Sequence, residues 1–350
     1  VCLARRKYSC VVGNGMNRVY WLVVQMNSRP VVCMLSGGGL GLVLGTVVQW
    51  PWLDWLVPVC LFMMLFPAMM QMDPAALKRI TDKPLPFLAA LLTNMVLAPL
   101  IIWGLTSLAP SHVDTAVLQG LTLFGLIPCG SMIPAFTIMS RGNVTLVTAI
   151  MAASMLLGVV AVPMWSGLIL GSDVGAPMIL LKQMLVVIVV PFVLAQVLKR
   201  YLAKLRKERA EAIRTGISLM PGIGLFWIGF IMFLRNGNMV IQAPELLLWV
   251  GAPAITHLML LLGLALGMSW LLRLSREDNV AYMFACTTRN IAASMALAAA
   301  TFGELTTLIV VMTGPFVQMP FVITQLNVQK RRADKAKEAL DAEPEIQTAP

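Results

Sequence analysis

Cys286-Thr-Thr-Arg-Asn290 places a thiol, two hydroxyls, a guanidinium and an amide inside a stretch that is otherwise apolar over about residues 279–302. Arg289 is the only formal charge deep inside any such stretch. A guanidinium stays charged and meets a carboxylate or phosphate with two parallel hydrogen bonds, so anion binding is one chemistry open to it. Hydrogen-bonding the free carbonyls of an interrupted helix is the other, and the two can coexist. A second cluster, Ile127-Pro-Cys-Gly-Ser-Met-Ile-Pro134, carries two prolines and a glycine in another apolar run. Pro128 and Pro134 each remove a helix N–H, and Gly130 favours helix least among the other residues. The helix is expected to break or kink here, and the freed backbone groups then need protein or a polar cavity against them.

The polar groups expected to line such a break are Arg289, Asn290, Thr287, Thr288, Ser131, Cys129 and Asn94. His257 is a further candidate, able to carry a proton near neutral pH or simply to hydrogen-bond a neighbour. Catalysis is not expected. The sequence has no H-E-x-x-H, no mid-stretch aspartate pair and no G-x-S-x-G, and its histidines are His112 and His257 alone. The six cysteines include no C-x-x-C pair, which gives no reason to expect a metal or cofactor. The 25 methionines fit adaptable packing better than a metal pathway.

What must position these groups follows from composition. The chain has 350 residues, 59% hydrophobic and 12% charged, with a mean hydropathy of +0.83. Charged residues make up about a quarter of a soluble globular protein, so a soluble enzyme, a nucleic-acid reader and a disordered regulator are all excluded. A membrane helix needs about twenty apolar residues. Ten stretches qualify, at about 31–49, 54–72, 85–108, 115–140, 144–171, 176–198, 217–234, 246–272, 279–302 and 305–325.

Basic residues test that count, because they concentrate in cytoplasmic loops. Of the 26, 23 fall before the first span, after spans 2, 4, 6 and 8, and in the tail from Lys330 to Lys337, leaving Lys182 and Arg235 outside that pattern and Arg289 within a span. The net charge of +10 is therefore a topology signal, with both termini cytoplasmic. Attraction of Lys199 to Arg214 to anionic membrane lipid is a lesser reading.

The expected class is an all-α polytopic membrane protein. Ten spans divide into two sets of five, and an odd number per set forces opposite orientations, an architecture common in secondary transporters. The expected divisions are a cytoplasmic segment 1–30, a first repeat 31–171, a second, inverted repeat 172–326, and a charged tail 327–350. Gly142–Met151 resembles Gly303–Met312 at corresponding places in the two halves.

Pro128-Cys-Gly-Ser-Met132, Ser140-Arg-Gly-Asn143 and Thr288-Arg-Asn290, set in ten spans, resemble the bile acid:sodium symporter superfamily, which also contains arsenite efflux permeases. The resemblance spans about residues 31–325. It implies that spans 4 and 9 are unwound and cross near mid-membrane. Spans 3, 4, 5, 8, 9 and 10 would form a core, and 1, 2, 6 and 7 a panel, with substrate in the cleft between them.

The family's sodium ligands do not carry over. Its Ser-Asn pair falls on Ile133 and Pro134, its span 5 hydroxyls on Val147 and Met151, and its span 9 glutamate on Ala285, while Asn94 stands where the family has Gln. A fixed positive charge at Arg289 would repel Na+. Arsenite permeases share Pro128, Cys129 and Met132, but Ala292 replaces their acidic residue. The expectation is a bacterial inner-membrane secondary transporter of a small organic anion, with Na+ or H+ left open as coupling ion and sodium disfavoured. Arsenite efflux is the alternative, and a channel a remote one.

Overall fold

The computed structural model describes residues 30–45, 50–72, 84–130, 132–171, 177–242 and 245–342, and every regular element among them is helical. In chain order these are α1 Pro30–Gly45, α2 Leu56–Gln71, α3 Pro84–Ser107, α4 Thr115–Leu126, α5 Ile133–Met139 and α6 Val144–Leu170. There follow α7 Pro177–Leu202, α8 Lys207–Gln242, α9 Glu245–Leu271, α10 Arg276–Thr287, α11 Ile291–Thr301 and α12, residues 304–342. Six of them (α3, α6, α7, α8, α9, α12) contain segments long and apolar enough to cross a membrane, and α1, α2, α4 and α11 contain shorter apolar helices.

The polarity is inverted relative to a soluble protein. Trp55, Leu248 and Trp270 are 83%, 71% and 82% exposed, while Asn94, Ser154, His257 and Arg289 are buried. Lipid tolerates the first set and excludes the second. The chain is an integral membrane protein.

Two groups of helices form. In the first, α1 and α2 pack on α8, and α7 lies against α2; in the second, α3, α4, α6, α9, α10 and α12 pack around the break described below. We refer to them as panel and core. Lipid gives helices no hydrophobic reason to associate, so close backbone packing must hold the panel together. Gly37, Gly41 and Gly45 supply it. A Cβ at each would collide with the backbone of α8, at the carbonyls of Phe226, Phe230 and Leu234 in turn.

Two helices exceed the apolar stretches that announced them. α8 begins at Lys207, ten residues before the expected 217, and α12 runs on to Ala342 rather than ending near 325. Residues 330–342 are charged but alanine-rich and contain no Gly or Pro, so nothing in them stops a helix. Ala333 is buried there.

Three helices contain a single π turn: Thr93–Leu97 in α3, Leu185–Val189 in α7 and Gly314–Gln318 in α12. Each is followed two residues later by a proline, Pro99, Pro191 or Pro320. A proline withholds its N–H from the carbonyl four residues back and crowds it; a widened turn makes room. For Pro99 that carbonyl belongs to Met95, and Trp165 Nε1 of α6 donates to it at 2.9 Å.

Candidate functional site

α4 ends at Leu126 and α5 restarts at Ile133; α10 ends at Thr287 and α11 restarts at Ile291. The two interruptions pair with each other as a short antiparallel β bridge centred on Cys129 and Arg289. Gly130 N donates to Thr288 O at 2.9 Å, and Asn290 N donates to Pro128 O at 3.2 Å. Each broken helix thus satisfies part of the backbone that the other frees. Gly130 permits the approach, since a Cβ there would stand 2.8 Å from Arg289 O. Pro134 lies in the first turn of α5, where its missing N–H is no loss.

The remaining free groups are met by side chains. At the end of α10, Ala285 O accepts from Cys129 Sγ at 3.0 Å and from Asn94 Nδ2 at 3.2 Å. Cys286 O accepts from Arg289 Nη2. Asn290 caps α11, its Oδ1 accepting from Ala293 N at 3.2 Å. Gln318, absent from the sequence-derived candidates, closes the far side of the bridge. Its Oε1 accepts from Arg289 N at 2.8 Å and its Nε2 donates to Arg289 O at 2.9 Å, as a neighbouring strand would. Asn94 and Gln318 both sit in π turns, which recur at functional sites in helices.

Arg289 is 1% exposed. Its Nε and Nη1 are buried with no hydrogen-bond partner among the described residues. Of the two roles read from the sequence, the geometry displays the capping one: the guanidinium closes the end of its own helix at Cys286 O.

A cavity of about 270 Å³ adjoins the bridge. The core lines it with Gly130, Thr288, Arg289, Asn290 and Gln318. The panel lines it with Met64 and Ala68 of α2 and Ser218 and Leu225 of α8. Thr288 Oγ1 has no hydrogen-bond partner among the described residues. The first turn of α11 contributes Ile291 and Ala292, and the positive end of a helix dipole favours anions. A second cavity, of about 440 Å³, opens along the same panel–core boundary. It shares helices α2, α8 and α11 with the first, one to two turns further along at Leu61, Met232 and Ala296.

The sequence-derived candidates therefore separate. Arg289, Asn290, Thr288, Gly130 and Pro128 belong to the bridge. Cys129 and Asn94 lie behind it, buried and lining neither cavity. Thr287 turns away, donating to Met283 O at 2.8 Å and bonding Gln325 Oε1 at 3.0 Å. His257 is buried on α9 edge-on to Phe124, its ring nitrogens without hydrogen-bond partners among the described residues. Ser131 lies outside the described residues. Gln318 was detectable as a lone amide in an apolar run, the signal that singled out Asn94.

The Ser140-Arg-Gly-Asn143 motif forms a corner joining α5, α6 and α10. Asn143 caps α6, its N–H donates to Glu277 O at 3.0 Å, and its Nδ2 donates to Asp278 Oδ1 at 2.8 Å. Arg276 Nη2 donates to Ser140 O at 3.1 Å. Both decapeptides that resemble each other, 142–151 and 303–312, begin a helix, with Asn143 and Gly303 at the caps.

Gln318→Leu is expected to lower stability by about 1–3 kcal/mol, because the buried Arg289 N–H loses its acceptor whereas Arg289 O keeps Ile291 N. Thermal unfolding in detergent measures this; an unmoved midpoint would show that the bridge stands without the amide.

A family model described as the Sodium Bile acid symporter family matches residues 58–243. The chain is 22% identical over 334 residues to an uncharacterised transporter of Synechocystis sp., covering 86% of each chain. It is 20% identical over 320 residues to the arsenical-resistance protein Acr3 of Alkaliphilus metalliredigens, covering 85% of this chain and 89% of that one.

Proposed function

The chain belongs to the sodium/bile acid symporter family of membrane transporters, and from that premise we propose that it carries a small organic anion by rocking its panel against its core, without sodium at the family's usual sites. The observation that carries this reading is the cavity of about 270 Å³ at the bridge, with the start of α11 and the buried Arg289 both in its lining. In a low-dielectric surrounding that charge, carried by a residue of the cavity's own lining, favours an anion in the cavity and repels Na+. Arg289 then acts as a built-in cation, stabilising the break permanently where a symporter borrows a mobile ion. Thr288, Asn290 and Gly130 offer cargo its polar contacts; Met64, Ala68 and Leu225 face its apolar body.

Alternating access is supported by the second cavity on the same boundary: tilting the panel would widen one while narrowing the other. In the full topology α1 and α2 complete the spans, and the two broken pairs, α4/α5 and α10/α11, each count as one. That gives ten spans in two inverted sets of five, with both termini cytoplasmic by the distribution of basic residues. A bacterial inner membrane suits that distribution.

Arsenite efflux is the second reading, favoured by Pro128-Cys129 with Met132 and by the arsenical-resistance relative. Against it, Cys129 Sγ is buried behind the bridge and bonded to Ala285 O and Asn94, away from both cavities.

Detergent-purified protein screened by thermal shift against organic carboxylates, bile salts and arsenite, each in sodium or potassium salt, tests the proposal. At least one organic anion should raise the melting temperature equally in both salts. A shift that requires Na+ would overturn the sodium-free mechanism, and a shift with arsenite alone would replace the cargo assignment.

A further inference from the structure

We propose that Arg235 and Glu304 form the latch that holds the 440 Å³ cavity closed. Arg235 lies on α8 in the panel and Glu304 opens α12 in the core, and Nη1 of the first is 2.7 Å from Oε1 of the second. The pair therefore bridges the two bodies whose relative tilt the transport cycle requires. Glu304 itself lines the cavity, and Met232, one turn before Arg235, lines its opposite wall. The rest of the lining is almost wholly apolar, so the pair is the charged element of this mouth among its described residues. By contrast Arg141–Asp334, at 3.6 Å, joins two core elements and has no leverage on the cleft.

The strength of the pair suits the role. Its side chains are 31% and 44% exposed, and ion pairs that water can reach contribute little. A latch that opens in every cycle must be weak; a fully buried pair would trap one state. Gly303, at φ +94 immediately before Glu304, starts α12 with nothing within 4 Å of where a Cβ would stand, and the Gly303 carbonyl is held by Thr307 Oγ1 at 2.7 Å. Glu304 is thereby fixed on the core, leaving Arg235 as the arm that lets go.

The inference rests on the rocking mechanism proposed above, and its test separates the two. An Ala296→Cys reporter lies deep in this cavity, where Ala296 is 6% exposed; an Ala68→Cys reporter lies in the bridge cavity. Each is built on a background with the native cysteines replaced, reconstituted in vesicles and labelled with a bulky, membrane-impermeant maleimide. Glu304→Gln and Arg235→Gln should each accelerate labelling at the Ala296→Cys reporter about two- to fivefold, the range expected for a partly exposed ion pair. The charge-swapped double variant, Arg235→Glu with Glu304→Arg, should return it to the parent rate. Raising ionic strength to the molar range should accelerate the parent and leave Glu304→Gln unchanged. Single variants that label at the parent rate, or a double variant as fast as the singles, would overturn the latch. If the latch holds but the Ala68→Cys reporter fails to slow when the Ala296→Cys reporter speeds up, the cavities do not alternate and the rocking mechanism falls instead.

Discussion

Arg289→Ala is expected to abolish transport in reconstituted vesicles while still expressing, with a stability loss of about 1–3 kcal/mol. The substitution removes the donor to Cys286 O, leaving a buried carbonyl unpaired, and vacates the volume of the largest fully buried side chain described. Relief of an unpaired buried charge offsets part of that, so the protein folds. Transport is expected to fail, because on the proposed mechanism the cavity loses the positive field that makes an anion preferable to water. Arg289→Lys and Arg289→Gln separate field from cap. Lysine keeps the charge but not the planar donor geometry, whereas glutamine keeps a donor without charge. Residual transport in the lysine variant with none in the glutamine variant marks the field as decisive. The opposite pattern would make Arg289 a cap alone, and unchanged transport in Arg289→Ala would reduce it to packing.

Gly130→Ala should be still more damaging to the fold. The new Cβ would meet Arg289 O at 2.8 Å and Thr288 Cγ2 at 3.2 Å. Backbone cannot swing aside as a side chain can, so the bridge opens and its two hydrogen bonds go with it. A loss at or beyond the upper end of the roughly 1–3 kcal/mol of ordinary overpacking is expected, seen as aggregation on size exclusion or a strongly lowered melting temperature. Gly104→Ala is the control. Nothing lies within 4 Å of its Cβ position in the last turn of α3, and alanine there should be neutral or stabilising by up to about 1 kcal/mol. Equal behaviour of the two variants would mean that the interrupted segments do not touch as described.

The two interruptions were unequally legible. Residues 127–134 announced a break through Pro128, Gly130 and Pro134, yet Pro67, Pro163, Pro221 and Pro253 all sit inside continuous helices. Proline permits a break; a facing strand that takes up the freed groups determines where one occurs, and that strand is 160 residues away in sequence at Arg289. The α10–α11 break has no proline, and only its polar cluster marked it. Gln318 shows the same limit from the other side: its amide matters because a π turn aims it at Arg289, and an apolar-window reading carries no information about aim. Arg289 was identifiable as special, but which way its guanidinium points was not, since either role needs the same residue at the same depth. Helix ends were missed where charged but alanine-rich sequence extends α12, because hydropathy sees the membrane and not the helix.

The seam of Gly37, Gly41 and Gly45 against α8 constrains how the panel can move. Two helices in backbone contact cannot slide by one residue, because a bulkier residue would be driven into a carbonyl. The four-residue spacing leaves one other register, displaced by about 6 Å along the axis at 1.5 Å per residue, too long a stroke for helices that must keep their ends at the lipid surface. α1 and α8 are therefore a single rigid plank, and whatever bending the cycle demands must be absorbed at the plank's edges.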